Sequence, residues 1–151
     1  MAELDDVYNT KLIELAGAST RAGKLAAPDA SASAHSKTCG STVAIDLKMD
    51  GGKVSDYAQT VKACLLGQAA AAVMAREIVG SRPDELRAVA AQMRAMLKEN
   101  GAPPAGRWAD LGALEPVRHY KARHTSTLLV FDAVEKALDA AAAKAGSKAS
   151  Q

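Results

Sequence analysis

A chain of 151 residues is long enough for one domain with a hydrophobic core. Its formal net charge of +2 is too near neutral to argue for nucleic acid or a membrane surface as a partner. Hydrophobic residues make up 48% of the chain but aromatics only 3%, and the alanine-rich balance favours packed helices over an all-β sandwich.

No apolar run approaches the roughly 20 residues of a membrane span. The opening MAELDDVYNT is acidic and lacks the apolar core of a secretory leader. Two cysteines cannot build a disulfide framework, so the expected compartment is the cytoplasm, with both thiols reduced.

Taken in chain order, LDDVYNTKLIELAGAS predicts a helix, because Leu4, Val7, Tyr8, Leu12 and Leu15 recur at helical spacing before Gly17 and Ser19. The stretch TRAGKLAAPDASASAHSK reads as a loop, crowded with Gly, Pro and Ser. TVAIDLKM alternates: Val43, Ile45, Leu47 and Met49 share one face, which predicts a strand with one buried side. DGG at 50–52 supplies a tight hairpin; KVSDYAQ reads as the partner strand and TVKA as a short third strand. CLLGQAAAAVMAREIV then predicts a helix capped by Gly80.

SRPDE offers Ser81 as an N-cap, with Asp84 three residues on. The next helix carries Leu86, Val89, Met93, Met96 and Leu97 on one stripe and stops at ENG. APPAGRWADL reads as a loop, and ALEPVRHYKARH as irregular. A last helix begins near Thr125, with Leu128, Phe131, Val134 and Leu138 facing the core. The fold class expected is α+β: a small antiparallel three-stranded sheet with helices packed on one face. One domain spans 1–140, and 141–151 is a low-complexity tail expected to be disordered.

The chemistry concentrates at few positions. Cys39 precedes Gly40 at the mouth of a strand. Cys64 opens a helix, and a helix N-terminus favours the thiolate that binds soft metals or attacks sulfur. The alternative is that both are small buried hydrophobes. Thr125 and Ser126 fit helix N-caps. His35 and His124 could complete a zinc or iron site with the thiols, or simply be solvated; His119 reads as surface. Arg118, Lys121 and Arg123 group into a basic stretch that would receive an acidic partner or an anion, or merely be a solvated face.

The order TCGSTVAIDLKMDGGKVSDYAQTVKACLLGQAAAAVM strongly resembles the U-type iron–sulfur cluster scaffold family (IscU, the NifU N-terminal domain and SufU). There a Cys-Gly-Asp turn leads into a hairpin, and a second cysteine opens a helix rich in small residues. The resemblance runs from about residue 4 to residue 138, and SRPDELRAVAAQMRAMLKENG looks like the insertion of the SufU-like branch.

It implies a scaffold rather than an enzyme. Such a protein accepts sulfur from a cysteine desulfurase, holds iron, builds a [2Fe–2S] cluster and passes it to apo-proteins; SufU-like members bind zinc. The family uses three cysteines and one aspartate. Cys39 and Cys64 match the first two cysteines, whereas Ser41 stands at the aspartate and Ser126 at the third cysteine. Arg123 matches an arginine of the family pattern. The resemblance leaves three readings: a divergent scaffold or carrier using Cys39 and Cys64, a non-metal or zinc-binding paralogue that binds a desulfurase, and a persulfide transferase with Cys64 as nucleophile.

Overall fold

The computed structural model describes residues 10–37 and 40–149. Leu4, Val7 and Tyr8 of the predicted first helix, Cys39, and the last two residues of the predicted tail lie outside them. Helix α1 (Thr10–Gly17) buries Leu12 and Leu15, three residues apart on one side.

The sheet has the order β1-β2-β3, antiparallel throughout. Strand β2 (Thr42–Asp50) is central and buries Val43, Ile45 and Leu47 on its inner face. The hairpin to β3 (Lys53–Lys62) turns on Gly51 and Gly52, both at positive φ (61° and 79°), which two successive glycines adopt without steric cost.

The third strand is not the one the sequence predicts. Thr60, Val61 and Lys62 of TVKA are the end of β3, and the third strand is β1 (Ala30–His35), inside the stretch read as a loop. Ala and Ser differ little in hydropathy, so the alternation of β1, with Ala30 and Ala34 buried and Ser31 and Ser33 exposed, leaves a faint pattern. In β3 the period breaks because Tyr57, Ala58 and Gln59 are all buried. The segment before β1 covers that edge: Gln59 N–H donates to Arg21 O (2.9 Å), and Gly23 N–H to Gln59 O (2.8 Å).

Helix α2 (Leu65–Glu77) runs through the middle of the molecule, and every residue from Ala69 to Ala75 is buried. Alanine on all sides lets α1, the sheet and α4 (His124–Ala149) approach it closely. Helix α4 lies across β1 and β2, and α3 (Pro83–Lys98) packs on α4 with the predicted stripe of Leu86, Val89, Met93, Met96 and Leu97 buried. The α+β class, a three-stranded antiparallel sheet carrying helices, is the architecture observed.

Local signals differ in three places. Helix α2 ends at Ile78, and Gly80 (φ 92°) serves the next turn, donating its N–H to Val54 O at 2.8 Å. Arg82 rather than Ser81 holds the N-cap position of α3; the Ser81 hydroxyl instead donates to Glu77 O and accepts from Arg107. The stretch read as loop and irregular chain forms 3-10 turns over Gly106–His119 and Lys121–Arg123. Trp108, Leu111, Leu114 and Val117 are buried at intervals of three, the repeat at which 3-10 side chains eclipse. Beyond residue 140 the chain stays helical to Ala149, where the sequence suggests a disordered tail.

Candidate functional site

Register decides which residues meet at one end of the sheet. Thr42 pairs with His35 on one side and with Lys62 on the other. The turn from Ser36 to Ser41 and the link Ala63–Cys64 therefore leave the sheet at the same end. Ser36 N–H donates to Ser41 O (2.8 Å) and Gly40 N–H to Ser36 O (2.9 Å), which closes the turn in the backbone. Gly40 has φ +70°, a left-handed position suited to glycine. Cys39, its neighbour in sequence, is outside the described residues. Ser36 and Ser41 are both buried.

Cys64 is the N-cap residue of α2, with an extended backbone (φ −66°, ψ 172°), and its side chain is half-buried. Its Sγ shares a hydrogen bond with Ser126 Oγ at 3.6 Å, joining positions 62 residues apart in sequence. Gly67, one turn into α2, permits that approach: a Cβ there would lie 3.0 Å from the Ser126 carbonyl oxygen and 2.8 Å from Ala63 Cβ. The sequence marked neither Gly67 nor its role. A glycine inside an alanine-rich helix is the signal that was available, since it loses about 1 kcal/mol against alanine without a packing reason.

Ser126 is buried near the start of α4. Its hydroxyl donates to Arg123 O (3.2 Å), and the Thr127 hydroxyl donates to the same oxygen (2.8 Å). These bonds tie the first turn of α4 to the preceding 3-10 turn. Neither Ser126 nor the exposed Thr125 acts as the predicted N-cap, because the 3-10 turn runs directly into the helix.

His124 is buried, and its Nε2 lies 3.1 Å from Val117 O and 3.2 Å from Arg118 O. Carbonyl oxygens only accept, so Nε2 is the donor in these contacts. His35 is exposed at the end of β1 and shares a cleft with Thr125. Arg118 ion-pairs with Glu115 (3.0 Å) and donates from Nε to Glu115 O (3.3 Å). Lys121 is exposed, Arg123 is half-buried and His119 is on the surface, as predicted.

The structure thus brings Cys64 and Ser126 together, with Ser41 on the turn that leaves the same end of the sheet. Among the described residues, no group of three or more His, Cys, Asp or Glu side chains is placed to hold a metal ion. A neutral hydroxyl is a poor donor to zinc or iron beside thiolate, so among the described residues at this end Cys64 is the strong donor.

A small antiparallel sheet with a tight turn on Gly40 and an alanine-rich helix that begins at Cys64 at the same end defines a U-type scaffold domain. No protein-family model matches the chain. The N-terminal domain of a nitrogen-fixing NifU-like protein from Brucella abortus is 55% identical and superposes with a TM-score of 0.91, over 93% of this chain and 98% of that one. The iron–sulfur cluster assembly scaffold protein IscU of Thermotoga maritima is 24% identical over 134 residues, 87% of this chain and 92% of that protein. A scaffold protein described for the SUF system of Fervidobacterium islandicum shares the fold at TM-score 0.81 and 20% identity, over 90% of this chain and 99% of that one. The chain belongs to the U-type iron–sulfur cluster scaffold family, which includes NifU-like and IscU-like proteins.

Proposed function

We propose that this protein is an iron–sulfur cluster assembly scaffold or carrier, not an enzyme, that holds iron or a [2Fe–2S] cluster as cargo through Cys39 and Cys64. The observation that carries this reading is the 3.6 Å contact between Cys64 and Ser126, the position of the family's third cysteine, at the sheet end where Thr42 pairs with His35 and Lys62. Family membership supports the same role. With serine at 41 and 126, two strong donors remain, and the other coordination positions fall to His124 through Nδ1, to His35, to an external thiol or to a residue of the recipient. Two thiolates hold a cluster loosely, which suits delivery. A cysteine desulfurase would supply sulfur and apo-proteins would receive the cluster in the cytoplasm, with Arg118, Lys121 and Arg123 as the docking surface. The functional domain is taken as 1–140.

Anaerobic reconstitution with ferrous iron and sulfide tests it. The wild type should develop sulfur-to-iron charge-transfer absorption. Cys39→Ala and Cys64→Ala should each abolish it, and Ser126→Cys, which returns a third thiol, should strengthen it. A colourless wild-type protein would overturn the reading.

One observation favours a second reading, a non-metal or zinc-binding paralogue that binds a desulfurase and accepts or modulates sulfur transfer. The Ser126 hydroxyl is buried and already bonded within its own chain, as expected of a structural residue. Desulfurase binding that survives loss of both cysteines, in a protein without iron, is its signature.

A further inference from the structure

We propose that the cleft between the end of α3 and the start of α4 binds a small multivalent oxyanion, a polycarboxylate or a phosphate compound. The cleft has a volume of about 600 Å³, within the roughly 300–1,000 Å³ of small-molecule sites. Lys98 and Asn100 line it from α3 and its terminal turn; Arg118, Lys121, His124 and Thr125 line it from the 3-10 turns and α4. Among the described residues, no carboxylate lines it.

Lys98, Arg118 and Lys121 bring three cations to this cleft, and Glu115 neutralises one of them. Arg21, Arg76, Arg87, Arg94 and Arg107 each pair with a carboxylate. The neighbouring cleft between β1 and α4 also carries charge, but its Arg87 and Arg94 face Asp139, Asp132 and Glu135 across it. Lys98 and Lys121 have no carboxylate within ion-pair distance among the described residues.

Arg118 is held by the carboxylate and the carbonyl of Glu115 through Nη2 and Nε, so its guanidinium is oriented while Nη1 stays uncommitted among the described residues. Cations along a concave wall repel one another and focus a positive potential into the cleft, and an anion of two or more charges relieves both effects. The Asn100 amide and the Thr125 hydroxyl add neutral donors, which suits oxygen-bearing anions rather than halides. Because the charges line a concavity rather than a flat face, they fit a small ligand.

Calorimetric titration of the full-length apo-protein with citrate and, separately, with inorganic pyrophosphate tests this in chloride-matched buffer. The wild type is expected to bind at least one of them with Kd below about 1 mM, and more weakly as salt is raised. Lys98→Gln combined with Lys121→Gln should weaken binding at least about tenfold, while Lys24→Gln with Lys53→Gln, outside the cleft, leaves it unchanged. All four lysines are exposed, so these variants keep the fold. Which probe binds separates a carboxylate from a phosphate ligand. Binding of neither anion, or equal affinity in the Lys98/Lys121 variant, overturns the proposal. Cys64→Ala should bind as the wild type does, since the cleft does not depend on a metal at the thiols; loss of binding there would place the anion at the thiol end and also overturn it.

Discussion

A β-carbon at residue 67 would meet Ala63 Cβ at 2.8 Å and the Ser126 carbonyl oxygen at 3.0 Å, and neither atom sits at the end of a flexible side chain. Gly67→Ala gains about 1 kcal/mol of helix propensity, while overpacking a tight contact costs about 1–3 kcal/mol and more where backbone must move. We expect a net loss, seen as a lower midpoint in denaturant unfolding, together with a looser Cys64–Ser126 contact, seen as faster alkylation of Cys64. A variant as stable as the wild type would show that α2 and α4 can part without cost. At this scale the sequence was informative about identity but not about approach. Cys64 and Ser126 were legible as matched positions, whereas their contact needed the fold. The position of His124 Nε2 between two carbonyls is likewise a product of the fold and is not written in RHYKARH.

Between elements, α3 is fastened on both sides. Arg94 reaches Asp132 and Glu135 on α4, and Glu85 receives hydrogen bonds from Trp108 Nε1 (2.8 Å) and from Arg107 on the 3-10 turns. Burial pushes the Glu85 carboxyl up, but the bonds from Trp108 and Arg107 and the Arg107 charge outweigh it, so the group sits below its ordinary value. A carboxylate held low in the fold contributes stability above its unfolded-state value and loses it as pH falls through the folded value. Acid should therefore loosen the docking of the 3-10 turns on α3, read by the fluorescence of Trp108, the sole tryptophan. Glu85→Gln should remove that acid-dependent part, leaving a flatter stability profile below about pH 5. An unchanged profile would contradict this.

Elements with a strong period were legible in advance: β2, α3 and α4 carry large apolar residues at spacings of two or of three to four. Strand β1 was not, because ASASAH has little hydropathy contrast and is a strand by virtue of pairing with β2. The 3-10 turns have a period of three, displayed by Trp108, Leu111, Leu114 and Val117, that matches neither the strand nor the α-helix repeat.

Across the molecule, the alanine-rich α2 forms a narrow axle around which α1, the sheet, the 3-10 turns and α4 all pack. The same helix carries Cys64 at its start, so the core and the thiol end share one element. That coupling explains why composition pointed to the architecture: few aromatics and much alanine describe a central helix approached closely from every side. It also explains why the contact of Cys64 with Ser126 was not legible in the sequence, since it depends on the packing of α2 against α4.

On the proposed function, Cys39 and Cys64 together carry a soft metal as cargo. The most direct measurement is the iron, zinc and acid-labile sulfide content of protein purified without oxygen, compared with a Cys39→Ala/Cys64→Ala double variant. The wild type should contain metal that the double variant lacks. A metal-free wild type, or equal metal in both, would contradict it.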